Sequence, residues 1–492
     1  VLANDNVDMS VEKGEIRAVL GENGAGKSTL MSCIYGRYGM DSGEIRIDGK
    51  RVEINSCDDA IRLGIGMANQ HFMLVQKLSV VENVVLGLKT KTAPVLDYKG
   101  SITAIRELSD RYSFNIDPEE KIENLPVGLQ QRVEILKILY RKSQIMIFDE
   151  PTAVLTPNEV LEFFEILKQF KKEGRTILFI THKLKEVMGI CDSVTVLRDG
   201  KVVGDVLVDE TNTNELAKMM VGREISLNEA EPSACIDNVV FQVKDLYVKN
   251  YRGQHAVTGL NFSIREGEIL GIAGVDGNGQ LELGRAITGM QKVDSGAVLI
   301  NGEDVTNLPP DKLLRYGLSH IPPDRQKTGL ILDFSVEDNL ASKTIHLQPF
   351  SKAGFIRRKA IRENGKKLIG DFNIRGCRSI TVAKQLSGGN QQKIILAREF
   401  SRDTKIIIAI QPTRGLDISA IEFVRRELIE QRDNGAAILL ISTELEEIIA
   451  LSDRIEVIYE GEFTGELTGH NVDPLDIGLQ MAGKKRTVGA EL

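Results

Sequence analysis

Gly21-Glu-Asn-Gly-Ala-Gly-Lys-Ser-Thr29, preceded by the aliphatic run Ile16-Arg-Ala-Val-Leu20, is the stretch that decides the fold. The run reads as a buried strand, the context in which the loop has meaning. Glycines let the backbone curl until several N–H groups face one concavity, at the start of a helix whose positive end favours an anion. Lys27 adds a point charge for the outer phosphates of a nucleotide, and the Ser28 hydroxyl suits Mg²⁺. Gly21, Glu22, Asn23, Gly24, Ala25, Gly26, Lys27, Ser28 and Thr29 are therefore candidate nucleotide-binding residues. A second version, Gly274-Val-Asp-Gly-Asn-Gly-Gln-Leu281, returns 253 residues later with Gln280 for the lysine and Leu281 for the hydroxyl. Charge and metal ligand are both gone, so this loop is not expected to hold Mg-ATP in the usual way.

The loops belong to a tandem repeat. Lys13-Gly-Glu15 matches Glu266-Gly-Glu268, Asp41-Ser-Gly43 matches Asp294-Ser-Gly296, and Ser79-Val80 matches Ser335-Val336. Leu125-Pro-Val-Gly128 then matches Leu386-Ser-Gly-Gly389, and Asp149-Glu-Pro-Thr152 matches Ile410-Gln-Pro-Thr413. The offset creeps from 253 to 261, as two copies with small loop insertions would give. β-Rich aliphatic runs alternate with amphipathic stretches in each copy, which predicts the α/β class: two domains, each with a mostly parallel sheet core. The more polar middles, about 71–124 and 324–385, are expected to form helical subdomains. The predicted organisation is a first domain at 1–222, a short polar linker at 223–238 and a second domain at 239–492. Val1 falls opposite Gln254, so 239–253 has no partner in the first copy, and the first domain is expected to lack its leading strand.

At 492 residues with 42% hydrophobic and 27% charged residues, the chain has the composition of an ordinary globular protein. No apolar stretch approaches the roughly 18 residues a membrane span needs, so any membrane role is expected to be peripheral. A net charge of -8 argues against a nucleic-acid partner. The five cysteines, Cys33, Cys57, Cys191, Cys235 and Cys377, show no C-x-x-C spacing and read as reduced thiols.

Ile145-Met-Ile-Phe-Asp-Glu150 is a strand ending in two acids. Beside a phosphate loop, Asp149 can orient Mg²⁺ and Glu150 can act as general base toward water. In the second copy the tip is Ile410-Gln411, with neither a metal-orienting carboxylate nor a base. Leu386-Ser-Gly-Gly-Asn390 opens a helical run, and Ser387, Gly388 and Gly389 suit an anion. Alone, they equally suit a simple helix cap.

In this series the residues resemble the nucleotide-binding domains of ATP-binding-cassette (ABC) transporters. The likeness covers nearly the whole chain twice, and more closely it is to the two-domain ATPases of ribose-type and nucleoside importers. It brings in Gln70 and His182, bland when taken singly, as the residue that senses metal and permease and as a γ-phosphate contact. The catalytic residues it implies are Glu150 and His182. The metal residues are Ser28, Gln70 and Asp149, and Gln70, Asp149, Ser387, Gly388, Gly389 and Asp417 join the nucleotide site. It implies ATP and Mg²⁺, two transmembrane permease subunits, an extracytoplasmic substrate-binding protein or lipoprotein, and a place on the cytoplasmic face of the membrane. Family domains pair head to tail, so each ATP lies between one phosphate loop and the other domain's signature. Intramolecular pairing would combine loop 21–29 with Ser387–Gly389 and Asp417, while the other combination would hold Gln280, Leu281, Pro323, Gln411 and Thr443 against Pro126 and Val127. Damage thus segregates by composite site: one is expected to hydrolyse ATP and one is not. Family members also stack adenine on an aromatic from the leading segment, and none precedes the first loop here. A tandem ATPase acting on ribosomes or nucleic acid would instead call for two intact sites and a long charged linker. A scaffold that binds ATP without turnover is the third reading.

Overall fold

The aliphatic runs become the strands of two six-stranded sheets with one design. A computed structural model describes residues 2–69, 72–88, 97–152, 155, 157–224, 236–275, 277–468, 472, 474–481 and 483. The chain divides into two compact units, Val1–Ile225 and Ser226–Leu492.

In the first unit the sheet order is Ile65–Ala68, Ile145–Asp149, Thr176–Thr181, Ile16–Leu20, Ser193–Arg198 and Lys201–Leu207. The first five strands are parallel and the last is antiparallel. Parallel strands need crossovers that cover both sheet faces. This is why Ile16, Ala18, Val19 and Leu20 are all fully buried rather than alternating. Because the strands run the same way, their carboxyl ends open on one edge. Asn69, Glu150, Gly21 and His182 follow four of those ends, the usual place for a ligand in an open α/β sheet.

The second unit repeats the pattern with Leu318–Ile321, Ile406–Ile410, Ala437–Ser442, Ile269–Ala273, Arg454–Tyr459 and Glu462–Thr468. Again only the last pairing is antiparallel. It also has an antiparallel sheet in the order His255–Glu266, Ile236–Lys249, Ser295–Ile300 and Glu303–Asp304. Phe241, Val243, Leu246 and Val248 bury one side of its longest strand. That strand begins at Ile236 and takes in 236–238, which the sequence assigns to the linker. Residues 225–235, most of that linker, lie outside the described residues.

The polar middles are helical. Val80–Val85 and Tyr98–Arg111 lie in the first, Val336–Ala341 and Arg358–Asp371 in the second. Ser79 and Glu82 form a reciprocal capping box, which satisfies two end groups of Val80–Val85 at once. A small hairpin in the second middle, Ser351–Lys352 with Phe355–Ile356, was not foreseen from the helical pattern. Among the described residues no helix is long and apolar enough to cross a membrane.

Candidate nucleotide-binding and hydrolytic site

Residues 21–26 turn the chain from the central strand Ile16–Leu20 into the helix Lys27–Ile34. Gly26, the helix N-cap, has φ 100°, and a Cβ there would stand 2.4 Å from the Ala3 carbonyl oxygen. Only glycine tolerates both conditions. Lys27 is buried and folds back over the loop, its Nζ donating to the carbonyls of Gly21 (2.6 Å) and Glu22 (3.0 Å). Ala25 is buried, whereas Asn23, Gly24 and Ser28 are exposed and Thr29 is half-buried. The lysine thus lies across a loop in which Gly24 and Gly26 take φ of 88° and 100°, the kind of turn in which backbone N–H groups can gather around a phosphate.

The carboxyl end of Ile145–Asp149 sits beside this loop. The Ser28 hydroxyl lies 3.4 Å from Asp149 Oδ1, so the two groups suited to Mg²⁺ converge. Burial raises the Asp149 carboxyl above its usual range, opposed by the Ser28 hydrogen bond and the Lys27 charge. A divalent cation there would favour the ionised form that burial penalises. Glu150, at φ 46°, lies 3.0 Å through Oε1 from His182 Nδ1. Burial again works against its charge, but the His182 hydrogen bond and the charges of His182, Lys27 and Lys183 outweigh it and hold Glu150 below the usual carboxylate range. The result is an anionic acceptor at the strand tip. Loop 21–29, Asp149, Glu150 and His182 are thereby brought together. Gln70 lies outside the described residues.

The second unit keeps the backbone and loses the chemistry. Gln280 folds over its loop as Lys27 does, donating to the Val275 carbonyl (2.9 Å) and accepting from Asn278 N–H (3.1 Å). Gly279 takes φ 101°, matching Gly26. An uncharged amide replaces the cation, and Leu281 is partly exposed where Ser28 stands in the first copy. At the strand tip Gln411 also has φ 46°, and its side-chain oxygen accepts from Arg414 Nη1 at 2.9 Å.

The two signature turns differ in the opposite sense. Ser387 caps the helix Gly388–Phe400, its Oγ accepting from Asn390 Nδ2 (3.0 Å) and, at 3.5 Å, from Asn390 N–H. Pro126 occupies the same place before Val127–Tyr140 and makes no side-chain cap. Asp417 caps the helix Ile418–Asp433 by accepting from Ala420 N–H at 2.9 Å, and a Cβ on Gly389 would be 3.9 Å from its Oδ2. Ser387, Gly388, Gly389 and Asp417 thus lie together in the second unit, with Ser387 exposed, Gly388 and Asp417 half-buried and Gly389 buried.

Sequence reasoning passed over the groups that support these elements. Arg325 Nη1 and Nη2 donate to the carbonyls of Arg414 (2.7 Å) and Gly415 (3.3 Å), and a Cβ on Gly388 would come within 2.7 Å of Nη2. Glu186 accepts from Thr152 (2.5 Å) and Thr181 (2.9 Å), joining the two strand ends that carry Glu150 and His182. Its signal lay in the repeat: Thr152, Thr181 and Glu186 recur as Thr413, Ser442 and Glu447. Cys33, Cys57, Cys191 and Cys377 are free thiols, and burial pushes Cys191 well up.

A tandem P-loop ATPase is the class this fold and site define. Residues 4–153 and 257–414 match the "ABC transporter" family, and the chain belongs to it. It is 49% identical over 98% of its length to the guanosine import ATP-binding protein NupO of Bacillus subtilis, covering 95% of that protein. It is 46% identical to the nucleoside import ATP-binding protein NupA of Lactococcus lactis, again over 98% of this chain and 95% of the relative. Among solved structures, an archaeal ribosome recycling factor aligns over 91% of this chain and 84% of its own at 19% identity and TM-score 0.59, a likeness of fold alone. The chain is an ATP-binding, ATP-hydrolysing protein of the ABC transporter family.

Proposed function

We propose that this ATPase drives uptake of a nucleoside, working with two transmembrane permease subunits and an extracytoplasmic substrate-binding protein or lipoprotein at the cytoplasmic face of the membrane. The similarity to guanosine and nucleoside import ATP-binding proteins over nearly the full chain supports this cargo. A simple sugar is the second reading, favoured by 43% identity to the glucose import ATP-binding protein of Haloferax volcanii.

One hydrolytic site serves the cycle. Lys27 and the N–H groups of loop 21–29 hold the phosphates, and Ser28 and Asp149 hold Mg²⁺, with Gln70 joining them. Mg²⁺, when bound, neutralises phosphate charge as it develops. Glu150 accepts the proton of the attacking water, and His182 orients that carboxylate. Ser387, Gly388, Gly389 and Asp417 close the site from the other domain, through the intramolecular pairing the family uses. The opposing combination, built on Gln280, Leu281 and Gln411, is structural or regulatory. The observation that carries this reading is the Glu150–His182 pair beside Lys27, for which the second unit offers Gln411 tied to Arg414.

Labelled-nucleoside uptake into vesicles containing the chain and its permease subunits tests the cargo. ATP-dependent uptake competed by unlabelled nucleosides and not by ribose or glucose is expected; competition by the sugars alone would overturn it.

A further inference from the structure

Next to Glu150 lies a cavity of about 10 Å³, wholly within the first unit, whose lining includes Asn69, Phe72, Gln131, Glu134, Phe148 and Glu150. Its polar groups are unusual. Gln131 is 5% exposed, and among the described residues neither its amide oxygen nor its amide nitrogen has a hydrogen-bond partner. The side-chain oxygen of Asn69 is likewise buried without one. Glu134 is 2% exposed; one of its carboxylate oxygens accepts from Met73 N–H at 2.6 Å, and Lys137 pairs with both. Buried amides left without partners cost stability, so folded proteins supply them with protein groups or with water. A volume of roughly 10–15 Å³ holds one water, provided two to four polar groups surround it.

The repeat shows which of these groups go together. At the 261-residue offset that pairs Asp149–Thr152 with Ile410–Thr413, Glu134 falls opposite Ile395 and Glu150 opposite Gln411. At the earlier 253-residue offset Asn69 falls opposite Pro322. Ile395 is fully buried among apolar side chains of the second unit. Of the four polar positions only Gln131 keeps its type, as Gln392. Asn69 and Glu134 are thus polar only in the copy with the carboxylate at the strand tip; the copy with Gln411 there has Pro322 and Ile395 in their places.

We propose that this cavity binds a single water that ties Glu150 to the helix Val127–Tyr140, with Gln131 as its anchor. The water donates one proton to the Glu150 carboxylate and the other to the Asn69 oxygen, and it accepts from the Gln131 amide nitrogen; Glu134 on the same wall already accepts from Met73 N–H and Lys137. Gln131 is then a positioning residue. Through the water it fixes the direction of the Glu150 carboxylate and supports its charge, while His182 holds the other side. The same water links the catalytic tip to the helix that carries the first signature turn. A movement of that helix would therefore alter the orientation of the base.

The inference rests on reading Glu150 as the base, and the test separates the two. In the full chain reconstituted with its permease subunits, Gln131→Met keeps the shape and removes both polar atoms. Turnover is expected to fall about tenfold with KM for ATP unchanged. In a Glu150→Gln background the same change should have no further effect. Parental turnover in Gln131→Met would overturn the water link, as would a lower Tm with turnover and KM both unchanged. Parental turnover in Glu150→Gln alone would instead remove the base on which the link depends. Should Gln131→Met fail to fold, high-resolution electron density of the parental protein decides: a water within hydrogen-bond distance of Gln131 and Glu150 is expected, and a dry or protein-filled cavity contradicts it.

Discussion

Glu150 and Gln411 stand at equivalent strand tips with the same backbone, both at φ 46° and both donating an N–H to the neighbouring strand, to Ile180 O at 3.0 Å and to Ile441 O at 2.7 Å. A left-handed non-glycine residue at an active site invites an explanation from catalysis. Here the copy without an acid keeps it. The strain therefore belongs to the way a buried parallel strand ends and turns into its loop. Function lies in the side chain placed there: Glu150 faces His182 and Lys27, whereas Gln411 is satisfied by Arg414. The two phosphate loops teach the same lesson, because Gln280 reproduces the fold-back of Lys27 without its charge.

The largest expected difference between the copies is at those loops. Lys27→Ala should lower ATP turnover by about 10²–10³, the usual effect of removing a charge-stabilising group. The double change Gln280→Lys, Leu281→Ser should leave turnover within about twofold, well under the tenfold that 1.4 kcal/mol represents. Phosphate release checks both, and a large gain from the double change would mean that the second site still holds the rest of its machinery.

A stability difference of about 3 kcal/mol is expected from acid. His320 lies buried on Leu318–Ile321, its Nε2 without a hydrogen-bond partner among the described residues, and burial with the Lys343 charge lowers its pKa from 6.5 to about 4. Between those values the unfolded chain binds a proton that the folded unit refuses, so the second unit loses stability as pH falls from 6.5 to 4. The first copy has Met67 at this place. His320→Met should flatten that decline in thermal unfolding; an unchanged slope would show that other groups cause it.

At the signature turns the effects are smaller. Ser387→Ala removes a helix cap worth about 1 kcal/mol and should slow turnover about tenfold. Pro126→Ser should add up to about 1 kcal/mol of stability and nothing to turnover. Equal losses of turnover from Ser387→Ala and gains from Pro126→Ser would erase the distinction between the turns.

Much of this was legible in the sequence. The strands Ile16–Leu20 and Ile145–Asp149 are legible as mostly apolar runs, because parallel strands covered on both faces leave little polar alternation. Spacing singles out Lys27, Ser28, Asp149 and Glu150, since their chemistry fixes their place relative to a strand end, and the structure brings the four together. His182 and Gln70 needed the family likeness. What stayed hidden depends on packing across distant segments. Asn69, Gln131 and Glu134 look like ordinary polar residues until the sheet edge and a helix close around them. The buried Glu399, paired with Lys343 at 2.7 Å and Arg398 at 3.0 Å, reads in sequence as one more charge on a helix. Ile236–Asn238 carries no apolar alternation of its own, which is why the sequence assigns to the linker three residues that belong to the strand Ile236–Lys249.

The central claim is that the same strand tip carries the reaction in one copy and cannot in the other. Phosphate release by Glu150→Gln and by Gln411→Glu, measured side by side in the permease-reconstituted protein, tests it most directly. The account predicts that Glu150→Gln still binds ATP but turns it over about 10²–10³ more slowly, while Gln411→Glu matches the parent. Parental turnover in Glu150→Gln, or a marked gain in Gln411→Glu, would contradict it.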